Sequence, residues 1–207
     1  MNILHIDCSP RTDSHSRRLS AGIVARLLGL YSGASVARRD LGREPIPHTR
    51  SGYATTLSTP GTLVGDEASE AVQLSEQLIG EVERADIVVI GTPMNNFTIP
   101  SVFKAWIDQI LRAGRTIGVA DSGEKVGLLE DKPVYIGIAS GGVFAGENAR
   151  QPDFLTPYVS AAFACVGITS LQFLPLQATV FLDREQAQAA TAALLADIDL
   201  SLLGVSQ

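Results

Sequence analysis

The chain has 207 residues, a net charge of −6 at neutral pH, and 45% hydrophobic residues of which few are aromatic. This length suits a single domain spanning residues 1–207, and the composition is that of a globular chain rather than a disordered one. The acidic balance argues against a nucleic-acid surface, no apolar stretch reaches membrane-spanning length, and Cys8 and Cys165 are too few for a disulfide scaffold.

Met1 runs straight into NILHIDC with no basic leader segment, so a cytoplasmic protein with two buried free thiols is expected. His5, His15 and His48 fall at unrelated spacings and support no metal site.

The first predicted strand, 2–8, runs into DCSPRTDSHSRRLS at residues 7–20. The next is a helix beginning near Ser16 and carrying Leu19, Ile23, Leu27 and Leu30 at helical spacing. Ser9, Thr12, Ser14, Ser16 and Ser20 crowd this turn. One hydroxyl, from Ser14 or Ser16, is enough to cap a helix. Several of them around a helix N-terminus, where backbone N–H groups lack partners, suit a phosphate, and Arg11, Arg17 or Arg18 can add charge. The turn has neither G-x-x-x-x-G-K-[ST] nor G-x-G-x-x-G. A cysteine phosphatase would need an arginine six positions after Cys8, where Ser14 stands.

A second strand is predicted over 35–41, and a long, Pro- and Gly-containing connection follows at 42–65. A helix marked by Ala71, Leu74, Leu78 and Val82 precedes a strand at 85–91. Then comes GTPMNNFTIPSVFKAWID, in which Thr92-Pro93 ends the strand, Asn95-Asn96 suits a tight turn, and Pro100 opens a helix. That helix carries Val102, Ala105, Ile107, Ile110 and Leu111. A second long connection, 114–131, leads to a strand at 133–139 and to ASGGVFAGENARQPDFLTPY. Gly141-Gly142 there permits positive φ and close backbone approach. Helical patterns at 153–165 and 184–203 flank a last strand at 170–174.

Strands such as ADIVVIG and PVYIGIA are apolar on both faces, as a parallel sheet covered by helices on each side requires. Alternation of strand and helix therefore predicts an α/β domain, doubly wound around a five-stranded parallel sheet. Ligands of such sheets bind beyond the carboxyl ends of the strands. Both long connections, 42–65 and 114–131, are predicted to wall that site, the first as a lid.

Ser9, then Ser14-His15-Ser16, then PMNNFTIPSVFKAWID…LRAGRT, then SGG…TPY resembles the FMN-dependent NADH–azoreductase and quinone reductase family over residues 1 to about 174. The P-M-x-N-F-x-I-P block carries most of the likeness. The resemblance implies a flavodoxin-like fold, a homodimer, and FMN held non-covalently near the subunit interface. It implies two-electron transfer from NADH or NADPH to a quinone or azo substrate by a ping-pong mechanism. Carried onto this chain, Ser9, Ser14, His15 and Ser16 would hold the FMN phosphate. Pro93, Met94, Asn95, Asn96 and Phe97 would line the isoalloxazine edge, and Ala139, Ser140, Gly141 and Gly142 its pyrimidine side.

No side-chain nucleophile and no metal are expected. Ile117-Gly118-Val119-Ala120, and Ser140 before the glycine pair, depart from the family pattern at positions that would face the acceptor. Two other readings are a one-electron carrier of flavodoxin type and a non-enzymatic flavin or nucleotide sensor. Ala105, Trp106, Ile110, Leu111, Ala162, Phe163 and Val166 supply more apolar helix surface than one sheet face needs, which makes Trp106 a candidate dimer anchor.

Overall fold

The computed structural model describes residues 1–49, 51–58 and 66–203. Five parallel strands form the sheet: β1 (Asn2–Asp7), β2 (Ser35–Asp40), β3 (Ile87–Pro93), β6 (Val134–Ala139) and β7 (Leu171–Leu176). They lie in the order β2-β1-β3-β6-β7, the 2-1-3-4-5 order of flavodoxin-like sheets, with the topological switch between β1 and β3.

Strand alternation sends side chains to two cores. Ile3, Ile87, Val89 and Tyr135 meet Leu19, Ile23 and Leu27 of α1 (His15–Leu30), alongside Ile198 beyond α6 (Arg184–Ala196). Leu4, Ile6, Val88, Ile90, Ile136 and Ile138 face the other way. There they pack on α3 (Asp66–Arg84), α4 (Ser101–Ile110) and α5 (Thr156–Cys165).

Trp106 is fully buried within the single chain. It lies between Phe103 and Phe163 at ring-centroid separations of 5.9 and 6.2 Å. Ala105, Ile110, Ala162, Phe163 and Val166 are buried with it, and Leu111 packs against the same cluster. This corrects the reading of Trp106 as a dimer anchor: the gap between two helices and the sheet takes up its whole surface.

The strands depart from the pattern where an edge relaxes it. β3 continues through Thr92 and Pro93, because β6 still runs alongside after β1 has turned away; Pro93 is tolerated as the last residue. β2 is an edge strand with sequence SVARRD, and most of its residues are not buried. β7 starts one residue later than predicted and extends to Leu176.

The connection 42–65 contains helix α2 (Ser51–Ser58). Residues 50 and 59–65 of the predicted lid lie outside the described residues. The connection 114–131 contains an antiparallel hairpin, β4 (Ile117–Val119) and β5 (Lys125–Gly127). It does not wall the carboxyl edge of its own sheet as predicted, because α4 returns the chain to the amino edge before the hairpin starts. Its base is tied there by Leu129 N–H donating to the Val166 carbonyl at 2.9 Å, at the end of α5. Cys8 is buried as expected, whereas Cys165 is only half-buried. Among the described residues no helix is long and apolar enough to cross a membrane, and no group of three or more His, Cys, Asp or Glu can hold a metal ion.

Candidate functional site

Three turns meet at the carboxyl edge of β1, β3 and β6. The first joins β1 to α1. Ser14 is the N-cap of α1 and its Oγ accepts from Arg17 N–H at 3.2 Å, so the plain capping role is real. Capping uses a lone pair, however, and leaves the hydroxyl hydrogen available. Ser16, fully buried, lies with its Oγ 3.2 Å from Ser14 Oγ. Ser9 Oγ likewise accepts, from Arg11 N–H at 3.3 Å, and keeps its own donor. Among the described residues the His15 and Ser16 amides find no acceptor, as the first turn of a helix dictates.

The turn is thus a buried set of neutral donors at the positive end of a helix dipole, a chemistry that suits phosphate oxygens. His15 contributes its backbone. Its imidazole is half-exposed, and burial together with Arg18 and Arg11 holds its pKa below the usual histidine value, so it brings no charge at neutral pH. Beside the turn, a groove of about 600 Å³ between α1 and α6 is lined by His15, Arg18 and Arg184, all three of which reach solvent.

The second turn follows β3. Asn95 and Thr98 exchange both backbone hydrogen bonds, at 2.9 and 3.1 Å. Between them Asn96 (φ 48°) and Phe97 (φ 71°) both adopt left-handed conformations, the pattern of a type I′ turn. Asparagine tolerates this; a phenylalanine there is strained. Phe97 is also exposed.

The third turn follows β6. Ala139 O accepts from Met94 N–H at 2.9 Å, which locks the second turn to the third. Gly141 and Gly142 do not take positive φ. The contact there is steric instead: a Cβ on Gly142 would lie 2.3 Å from Gln151 Oε1 and displace that amide. The amides of both glycines find no acceptor among the described residues.

Two glutamines that carry no sequence signal hold this turn. Gln151 Nε2 reaches Met94 Sδ and Ser140 Oγ, each at 3.1 Å. Gln177 Oε1 accepts from the amides of Phe144 and Ala145, each at 2.8 Å. Both sit in loops without periodicity, so only the folded chain reveals them.

The family model described as a flavodoxin-like fold matches residues 1–201. The FMN-dependent NADH:quinone oxidoreductase 4 of Pseudomonas fluorescens is 44% identical over 183 residues, covering 88% of this chain and 86% of that protein. The chain belongs to this family. FMN-dependent NADH:quinone oxidoreductase 5 of Burkholderia lata is 40% identical over 200 residues, covering 94% of this chain and 96% of that one. Among solved structures, an azoreductase from Bacillus anthracis str. Sterne is similar at a TM-score of 0.81 and 25% identity, covering 95% of this chain and 96% of that one. FMN-dependent NADH:quinone oxidoreductases are oxidoreductases, and in this chain the three turns described above follow β1, β3 and β6 on one sheet edge.

Proposed function

We propose that the chain is an FMN-dependent oxidoreductase that passes two electrons from NADH or NADPH to quinones or azo compounds, with donor and acceptor entering in turn. The observation that carries this reading is the phosphate-suited donor set at the start of α1, on the same sheet edge as the amides of Asn96, Phe97, Gly141 and Gly142, which find no acceptor among the described residues. When bound, FMN supplies the hydride chemistry that no side chain here provides.

The chain's own part is to bind, orient and exclude. The hydroxyls of Ser9, Ser14 and Ser16, with the amides of His15 and Ser16, grip the phosphate. Pro93, Met94, Asn95, Asn96 and Phe97 border the ring on one side, and Ala139, Ser140, Gly141 and Gly142 on the other. The amides of Gly141 and Gly142 favour negative charge beside them without a cationic side chain. Gln151 sets the distance between the two bordering turns through Met94 and Ser140.

Phe97, Phe154, Val180 and Phe181 are 44%, 59%, 72% and 79% exposed in the single chain. Phe154 N–H donates to the Phe97 carbonyl at 3.0 Å, and Val180 lies against Gly141. So much uncovered apolar surface beside the site supports a homodimer, with the second copy covering it. Light scattering at micromolar concentration is expected to give twice the chain mass.

The deciding experiment is reconstitution. Protein incubated with FMN and desalted is expected to keep a flavin spectrum, release FMN on heating, and oxidise NADH steadily when benzoquinone is present. A colourless sample after reconstitution overturns the reading. Bound FMN that neither NADH nor NADPH bleaches would favour the sensor.

A further inference from the structure

Arg17 stands at the phosphate turn and is the obvious candidate for a cationic phosphate ligand, yet its guanidinium is fully engaged within the chain. Nε and Nη2 donate to the Ser9 carbonyl at 2.9 and 2.6 Å. Nη1 donates to Asp40 Oδ2 at 2.8 Å and reaches Asp7 Oδ2 at 3.4 Å, and Nη2 donates to Asp40 Oδ1. Five N–H donors meet five acceptor contacts, which leaves none for an anion.

Each acceptor is itself held. Asp7, almost fully buried, takes Ser20 Oγ at 2.9 Å and Arg38 Nη2 at 2.9 Å. Asp40, the last residue of β2, takes the Arg43 amide at 3.1 Å. The charges of Arg17, Arg38, Asp7 and Asp40 cancel. Arg17 and Asp7 are buried while Asp40 and Arg38 reach solvent, and such pairs add little net stability over apolar packing, so their value lies in what they fix.

What they fix is the Ser9 carbonyl. Gly42, two residues beyond β2, closes on the same atom: a Cβ there would lie 2.1 Å from Ser9 O, and Gly42 N–H donates to the Asp7 carbonyl at 3.1 Å. We infer that Arg17, locked by Asp40, is a positioning residue that clamps the Ser9 peptide and so holds the phosphate turn open, making edge strand β2 part of the flavin-phosphate site. Resting on the FMN reading above, this places phosphate selectivity in a residue that never touches the phosphate. Arginine is required because only a planar fork spans a carbonyl and a carboxylate at once; a lysine reaches one or the other.

The test is fluorescence titration of apoprotein with FMN and with riboflavin, which lacks the phosphate. Wild type is expected to prefer FMN by at least about a hundredfold, roughly 2.7 kcal/mol. Arg17→Lys is expected to lower FMN affinity at least tenfold while riboflavin affinity changes less than threefold. Asp40→Asn, which keeps shape and one acceptor oxygen, is expected to do the same to a smaller degree, and it carries the test if Arg17→Lys does not fold. Arg39→Gln removes the neighbouring Arg39–Glu81 ion pair on the same strand, and should leave the FMN to riboflavin ratio unchanged. Parallel loss of both ligands in folded Arg17 or Asp40 variants, or unchanged FMN affinity, overturns the inference. A wild type that binds both flavins equally strikes the cofactor reading instead.

Discussion

The turn that starts α1 and the turn that follows β3 lie on one sheet edge and are built on opposite plans. The first keeps its serine donors, Ser9, Ser14 and Ser16, buried and neutral, and is braced from behind by four charges that cancel. The second is exposed, has no ion pair behind it among the described residues, and keeps two non-glycine residues at positive φ. A phosphate is small and identical in every bound cofactor, so a rigid receptor suits it. A ring edge that must also admit donor and acceptor suits a shallow, sparsely packed border. Rigidity comes from bracing, and access comes from leaving the turn unpacked within its own chain.

Replacing Gly42 tests the bracing most severely. Gly42→Ala drives a methyl group into the Ser9 carbonyl, and overpacking against backbone is expected to remove about 1–3 kcal/mol of stability. FMN affinity should fall at least tenfold with it, read from urea unfolding with and without cofactor.

Removing the donors while leaving the brace intact should divide stability from binding. Ser14→Ala loses the α1 cap and about 1 kcal/mol. Ser16→Ala, which caps nothing, should keep stability closer to wild type while weakening FMN several-fold. If the two variants proved equal in both respects, the distinction between cap and ligand would fail.

The uncovered turn should respond in the other direction. Phe97→Gly relieves a left-handed phenylalanine, and stability should hold or rise by up to about 1 kcal/mol. The Michaelis constant for the acceptor is expected to change, since an exposed ring at the site is lost.

Acid separates the two plans as well. The hydrogen bond from Arg17 holds Asp40 below the usual carboxylate pKa. Burial pushes Asp7 up, but His5, Ser20 and Arg38 bring it below the usual value. Both groups are depressed on folding, so their contribution is fully present above their unfolded value of 3.8 and is lost as pH falls through the lower folded values. The stability gap between wild type and Asp40→Asn should therefore shrink below about pH 4, as followed by circular dichroism, while the Phe97→Gly difference stays constant.

The smallest effect concerns salt. A phosphate held by neutral donors is weakly screened, so the FMN dissociation constant should change less than about threefold between 0.05 and 0.5 M salt. A steep dependence would mean that a free cation such as Arg18 reaches the phosphate after all.

Much of this was legible in the chain. Apolar runs such as IVVI and YIGIA announce strands buried on both faces, and Leu19, Ile23 and Leu27 announce the helix that covers them, because period and burial are local properties of order along the chain. The serines at 9, 14 and 16 were readable for the same reason: a helix start needs its donors and caps within a few residues. A tight turn was visible in Asn95-Asn96, although its left-handed residues are Asn96 and Phe97. Trp106 was misread because an apolar helix face looks the same whether it meets a sheet or a second subunit. The connection at 114–131 was misplaced because its length says nothing about which edge of the sheet it starts from.

The layered α/β plan and the residue types of the three turns are written in the order of the chain, since hydrophobic period, capping and glycine placement act between near neighbours. The tasks of Arg17, Gly42, Gln151 and Gln177 emerge only on folding. Their partners lie 8 to 57 residues away, and a side chain with unused donors becomes a brace or a ligand only when folding settles which acceptors reach it first.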